Sequence, residues 1–275
     1  MPFTLRICML NADTPVPSLL PRYPTWGRIF HSLLAAASPK VDITSSDFDV
    51  TIGEYPLSFF DFDAIILSGS ANAAYDDAPW VKKLDAYIKN LYQEHPHVKI
   101  FATCFGHQLV CQSLLGKYGV WAELDPKGLE VGVKEITFDK RFLATFGKQS
   151  RREDVLSSGD LSGSMRLQFV HGDHVVVPEG TSLPEEWEMV GTTQHCAMQG
   201  VYLSGRVFTL QGHFEFDREI NSEVIKYAFG STWEAEKLQK VLDDVDADDD
   251  AAIAARLLLS FFLEDGRIGE VQTGL

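Results

Sequence analysis

The chain has 275 residues, 45% of them hydrophobic, with 39 acidic against 24 basic side chains and a formal net charge of −15. That length supports one substantial core with a C-terminal elaboration, and the acidic balance argues against a nucleic-acid or anionic-membrane surface. No apolar run approaches a membrane span, the N-terminal run is too brief for a signal peptide, and four cysteines without metal-ligand spacing make a reduced cytosolic or nuclear setting the default.

Residues 5–10, LRICML, read as a buried parallel strand with Cys8 in its core, followed by a Pro-rich loop over 11–23 at the carboxyl edge of the sheet. A helix over 25–37 carries Ile29, Phe30, Leu33 and Leu34 on its apolar side, 41–50 is a second strand, and 63–67, DAIIL, is a third that ends at Ser68-Gly69-Ser70. After a turn-rich linker over 73–79, a helix over 80–92 turns Leu84, Ile88 and Leu91 inward. Strands and helices in alternation, with apolar runs instead of polar–apolar alternation, predict a mostly parallel α/β sheet covered on both faces. Ligands of such sheets lie beyond the carboxyl ends of the strands.

The stretch 99–116, KIFATCFGHQLVCQSLLG, passes from a strand directly into a helix at Cys104. Such a sharp turn is a nucleophile elbow: it holds the sulfur clear of the sheet and aims the free N–H groups of the first helical turn at the carbon under attack. The helix N-terminus also favours thiolate over thiol. His107 sits in that first turn, but its side chain is expected to point along the helix and away from the sulfur. Gln108 is better placed to face a ligand, and Cys111 reads as packing.

From 119 to 138 the pattern changes to short alternating strands, read as an antiparallel ribbon appended to the sheet. Residues 140–166 are polar and read as a surface insertion, and 167–178 return to strand and turn. His171-Gly172-Asp173-His174 lacks a matching third ligand and is not read as a metal site. Strands over 188–201, including Gln194-His195-Cys196, and over 205–210 lead to Gly212, His213 and Glu215. In extended backbone His213 and Glu215 fall on one face, the arrangement in which an acid fixes the tautomer and charge of a histidine base. Helices follow over 219–229, 233–241 and 251–263. The acidic run DDVDADDD fails as a calcium loop because Asp249 and Ala255 stand where Gly and Glu are needed. It is read as a solvated linker with Asp250 capping the last helix.

CFGHQ after an apolar strand, with QGHFE near the end of the sheet, resembles the class I glutamine amidotransferase family, in a single-domain form similar to stand-alone glutaminases and plant γ-glutamyl peptidases. The resemblance implies a flavodoxin-like catalytic domain over 1–220, with 221–275 a helical extension packed on it. It implies Cys104 as nucleophile, His213 as base and Glu215 as the residue orienting it. The backbone N–H groups of Ser70 and Phe105 then form the oxyanion hole, and Gly69, Gln108, Val170, Gly172 and Asp173 bind the amino-acid end of the substrate. That substrate is glutamine or a γ-glutamyl peptide, with no cofactor. The family loop reads close to Ser-Gly-Gly-Pro, where this chain has Ser70 and Ala71, and the family Pro between His and Glu is here Phe214, a change expected to loosen His213. No ATP-binding P-loop or second catalytic domain is visible. The remaining readings are a stand-alone hydrolase, a glutaminase feeding a separate ammonia-accepting enzyme, and a catalytically silent binding module.

Overall fold

The structure, a computed structural model, describes residues 4–149, 155–157, 160 and 163–264. In chain order its elements are β1 (Thr4–Asn11), α1 (Trp26–Ala37), β2 (Asp42–Asp49), β3 (Ala64–Leu67), α2 (Pro79–Glu94), β4 (Lys99–Thr103), α3 (Phe105–Leu115), β5 (Trp121–Leu124), β6 (Glu130–Phe138) and α4 (Lys140–Gln149). There follow β7 (Ser164–His171), β8 (Asp173–Val176), β9 (Trp187–Met189), β10 (Gly191–Thr192), β11 (Val201–Leu203), β12 (Val207–Leu210), α5 (Arg218–Phe229), α6 (Ala235–Val245) and α7 (Ala251–Phe262). The main sheet has the order β2-β1-β3-β4-β12-β11-β9, parallel from β2 through β12 and antiparallel beyond. The expected mostly parallel sheet is thus present, with helices on both faces.

The central strands β3, β4 and β12 are buried along their whole length, which is why they read as apolar runs. On one face α1, α4 and α7 pack over Phe30, Phe101 and Phe208; on the other α2 and α3 pack over Ile65, Leu84 and Ile100. Each fully buried side chain of this size contributes about 1.5–3 kcal/mol. Parallel neighbours leave the sheet at the same edge, so the loops after β1, β3, β4 and β12 converge there.

Four expectations are corrected. The region 140–166 is not a polar loop throughout: Lys140–Gln149 is a helix whose Phe142 and Phe146, four residues apart on one face, are fully buried, and the strand after it starts at Ser164. Positions 150–154, 158, 159, 161 and 162 of that region lie outside the described residues. The 119–138 ribbon is antiparallel but not self-paired, since β5 pairs with β8 while β6 pairs with β7 and β10. Gln194-His195-Cys196 lies in a turn between β10 and β11, where Thr193 N–H donates to the Cys196 carbonyl at 3.0 Å. Asp250 precedes α7, yet its carboxylate accepts the Arg166 N–H at 2.7 Å, and it is Asp249 that takes the Ala251 N–H at 3.1 Å.

At the opposite, amino edge of the sheet, Lys99 opens β4 and is buried, donating to the carbonyls of Phe261 and Phe262 at 3.0 Å each and to that of Glu264. A cation on the last carbonyls of α7 answers the negative end of its dipole. The Glu264 carboxylate accepts from Tyr202 Oη at 2.8 Å and Gly205 N–H at 2.9 Å. Burial pushes its pKa up to about 7, against the pull of those two donors and of Lys99.

Candidate active site

Cys104 sits at the junction of β4 and α3 with φ 51° and ψ −115°, and among the described residues it is the non-glycine with positive φ. Backbone held in that region costs on the order of 1–3 kcal/mol and persists only where its surroundings fix it. Here they do: Cys104 N–H donates to the Leu210 carbonyl at 2.9 Å, the Cys104 carbonyl accepts Gln108 N–H at 3.0 Å, and Thr103 Oγ1 donates to the Gly212 carbonyl at 2.8 Å. Gly106 is required for the close approach of α3 to β3, because a Cβ there would lie 2.8 Å from the Leu67 carbonyl oxygen.

The chain leaving β12 brings His213 against Cys104. His213 N–H donates to the Gln168 carbonyl at 2.8 Å, its ring stacks on Phe216 at 4.1 Å between centroids, and its Nδ1 hydrogen-bonds Glu215 Oε1 at 2.6 Å. With Nδ1 committed, Nε2 is the ring nitrogen left free to exchange a proton with Cys104. Gly69 closes the third side, its position for a Cβ being 2.9 Å from His213 Cε1 and 3.4 Å from Cys104 Cβ. Burial of the imidazole opposes its charge, but the Glu215 carboxylate and Cys104 outweigh it and hold the His213 pKa up at about 10. The pair therefore favours an imidazolium beside the sulfur.

Phe214 packs this segment against the main core. Its ring is buried, edge-on to Phe30 at 5.4 Å and Phe101 at 5.7 Å, and so pins the backbone between His213 and Glu215 to the main core.

The other expected residues gather on the same edge. Gln108 Nε2 donates to the Asp173 carbonyl at 2.9 Å and to Gln211 Oε1 at 3.1 Å, tying α3 to the β7–β8 turn. Val170, Gly172 and Asp173 line the cleft with Gly69, Ser70 and Gln108, and the Asp173 carboxylate accepts from Tyr75 Oη at 3.1 Å. Phe105 N–H begins α3 beside the sulfur. His107 is instead fully buried, its Nδ1 2.8 Å from Thr209 Oγ1, and burial lowers its pKa to about 3, so it stays neutral away from the cleft. Of the four free cysteines Cys104 lines the cleft; Cys8, Cys111 and Cys196 are buried elsewhere, and burial pushes their thiols upward, Cys196 to about 11.

Two features escape the sequence reading. The first is a buried polar layer behind the β7–β8 turn. Glu130 accepts from His171 Nε2 at 3.0 Å, Thr193 Oγ1 at 2.6 Å and Gln199 Nε2 at 2.8 Å. Burial works against its charge, but these donors hold its carboxyl below the usual range. The available signal was alternation, since Glu130 is in phase with the buried Gly132, Ile136 and Phe138 of β6. The second is the far half of the cleft. The whole cleft has a volume of about 840 Å³, and this part of it is walled by Val16, Leu20, Trp26, Phe216, Val224 and Phe229, from the 12–23 loop, α1, α5 and the segment between β12 and α5. No local pattern predicts that these segments meet. Among the described residues no group of three or more His, Cys, Asp or Glu side chains is arranged to hold a metal ion, and no helix is long and apolar enough to cross a membrane.

Comparison with known proteins gives matches of three kinds. The family model for glutamine amidotransferase class-I matches residues 28–229. A glutamine amidotransferase-like protein of Schizosaccharomyces pombe is 30% identical over 233 residues, covering 82% of this chain and 85% of that one. Gamma-glutamyl peptidase 2 of Arabidopsis thaliana is 27% identical over 204 residues, covering 72% and 73%. In fold, the crystal structure of a glutamine amidotransferase from Thermotoga maritima superposes with a TM-score of 0.65 over 94% of this chain and 99% of that one, at 16% identity.

Proposed function

Because this chain belongs to the class-I glutamine amidotransferase family, we propose that it hydrolyses a γ-glutamyl amide bond through a γ-glutamyl thioester on Cys104. The observation that carries the reading is that Cys104 and His213 flank the same Gly69 on the wall of one cleft, with the Nδ1 of that imidazole held by Glu215 at 2.6 Å. The thiolate attacks the γ-carbonyl carbon, and as the C–N bond breaks the His213 imidazolium gives its proton to the leaving nitrogen. Water then adds to the thioester, passing one proton to His213; the C–S bond breaks, restoring the thiolate–imidazolium pair and releasing the γ-carboxylic acid, which gives its remaining proton to solvent. The N–H groups of Ser70 and Phe105 take the oxyanion in both steps, each worth about 3 kcal/mol. Gly69, Gln108, Val170, Gly172 and Asp173 form the side that receives the amino-acid end.

The cleft favours a γ-glutamyl peptide or conjugate over free glutamine. At about 840 Å³ it falls in the upper part of the range of about 300–1,000 Å³ that takes drug-sized ligands. A leaving nitrogen protonated by His213 lies next to Phe216, at the mouth of the apolar half, where ammonia has nothing to bury and a substituted amine does. The peptidase names among the relatives point the same way.

The test is turnover of glutamine, glutathione and γ-glutamyl-phenylalanine by the purified protein and its Cys104→Ala variant. Turnover of a γ-glutamyl peptide above that of glutamine, abolished in the variant, is expected. Unchanged turnover in the variant would remove the mechanism. Weak glutamine hydrolysis raised by an added synthetase would favour an ammonia-delivering subunit, and no turnover or thioester trapping at all would leave a silent binding module.

A further inference from the structure

We propose that Ser68 and Asp13 are positioning residues that lock the peptide between Gly69 and Ser70 with its N–H in the oxyanion orientation. The inference rests on the hydrolase reading above and extends it to residues that do not touch the reacting atoms.

Parallel β1 and β3 pair side by side, Leu10 opposite Leu67, so their exit loops run together at the sheet edge. Three hydrogen bonds join them, and a fourth braces the second loop internally. Ser68 N–H donates to the Leu10 carbonyl at 3.1 Å, Ala12 N–H donates to Ser68 Oγ at 2.9 Å, Ser68 Oγ donates to the Gly69 carbonyl at 3.0 Å, and Ala71 N–H donates to Asp13 Oδ2 at 2.9 Å. The other oxygen of Asp13 accepts the Thr14 N–H at 2.8 Å, which fixes the carboxylate in place.

In a trans peptide the carbonyl and the N–H point in opposite directions. Engaging the Gly69 carbonyl with Ser68 therefore decides the direction of the Ser70 N–H, and engaging the Ala71 N–H with Asp13 decides the tilt of the next peptide. Gly69 itself lies against both Cys104 and His213, so the locked peptide borders the reacting sulfur. A flip would break the Ser68 bond, turn a carbonyl toward an oxyanion, and strain the Asp13 bond. Ser70 and Ala71 have ordinary backbone freedom, with no Gly to permit a special conformation and no Pro to fix one. The side chains of two neighbouring loops supply the restraint instead. Ser68 is buried with its hydroxyl both accepting and donating, so its one proton is committed to the Gly69 carbonyl.

The experiment measures steady-state kinetics of Asp13→Ala, Asp13→Asn, Ser68→Ala and Ser68→Thr with a γ-glutamyl peptide. It adds inhibition by a γ-glutamyl aldehyde, which forms a tetrahedral adduct on the sulfur, and by glutamate, which does not. Loss of one oxyanion donor costs 10²–10³ in kcat, so loosening one is expected to cost about tenfold. Asp13→Ala and Ser68→Ala should each lower kcat about tenfold with KM within twofold, and weaken the aldehyde by the same factor while leaving glutamate unchanged. Asp13→Asn and Ser68→Thr, which keep an acceptor and a hydroxyl, should recover most of the loss. Amide hydrogen exchange at Ala71 should quicken in Asp13→Ala, a readout that needs no turnover. Cys104-dependent turnover with kcat unchanged in both alanine variants would overturn the lock alone. A raised KM at constant kcat would overturn it in favour of substrate binding by Asp13, and unchanged exchange at Ala71 would overturn the tether itself. Absence of any Cys104-dependent turnover would overturn the hydrolase reading and this inference with it.

Discussion

His213 owes its charge to its neighbours. Its folded pKa is raised from 6.5 to about 10, so proton binding by this ring stabilises the fold. The contribution is complete below about pH 6.5 and is lost as the pH rises through about 10. Glu215→Gln removes the largest influence that favours the imidazolium, and its unfolding free energy should fall below that of the parent at pH 6–8. The gap should narrow above pH 10, and urea unfolding across that range checks it. The residues of this pair were legible because their signals are local: a Cys between an apolar strand and a helix, and a His two residues from a Glu. Asp13 and Ser68 were not. What they do depends on which loops lie side by side at the sheet edge, and one-dimensional spacing carries no record of that.

At the scale of elements, the parallel strands were legible because burial on both faces forces apolar runs on them. The short antiparallel strands were misassigned in their pairing because β5 and β6 find partners in β7 and β8, far along the chain. Helix α4 was hidden for a different reason: its buried face is only Phe142 and Phe146, set among Lys, Arg, Thr and Gln. Phe142 packs at 5.5 Å from Tyr202 and 6.1 Å from Phe208, beneath the strand that leads to His213. Phe142→Ala should cost about 3–5 kcal/mol by thermal or denaturant unfolding. The substitution would cost almost nothing if the segment were the solvated loop its polar composition suggests.

For the whole molecule, β4 is a short strut between two buried polar sites. Cys104 follows its carboxyl end and Lys99 begins its amino end, where it grips the last carbonyls of α7 beside Glu264. The Glu264 pKa is raised from 4.5 to about 7, so its proton stabilises the docked end of α7 fully below about pH 4.5, and that contribution is lost as the pH rises through about 7. Glu264→Gln should flatten the dependence of stability on pH between 4.5 and 7, measured as Tm against buffer pH, while leaving the slope attributed to His213 in place. The four free thiols carry a further consequence for the intact chain. Three are buried away from the cleft, and the fourth opens onto it. At neutral pH a small alkylating agent is therefore a stoichiometric counter of competent molecules: intact mass rises by one adduct per chain, and an occupied cleft slows that rise, so a preparation reports its own functional fraction on a balance of masses.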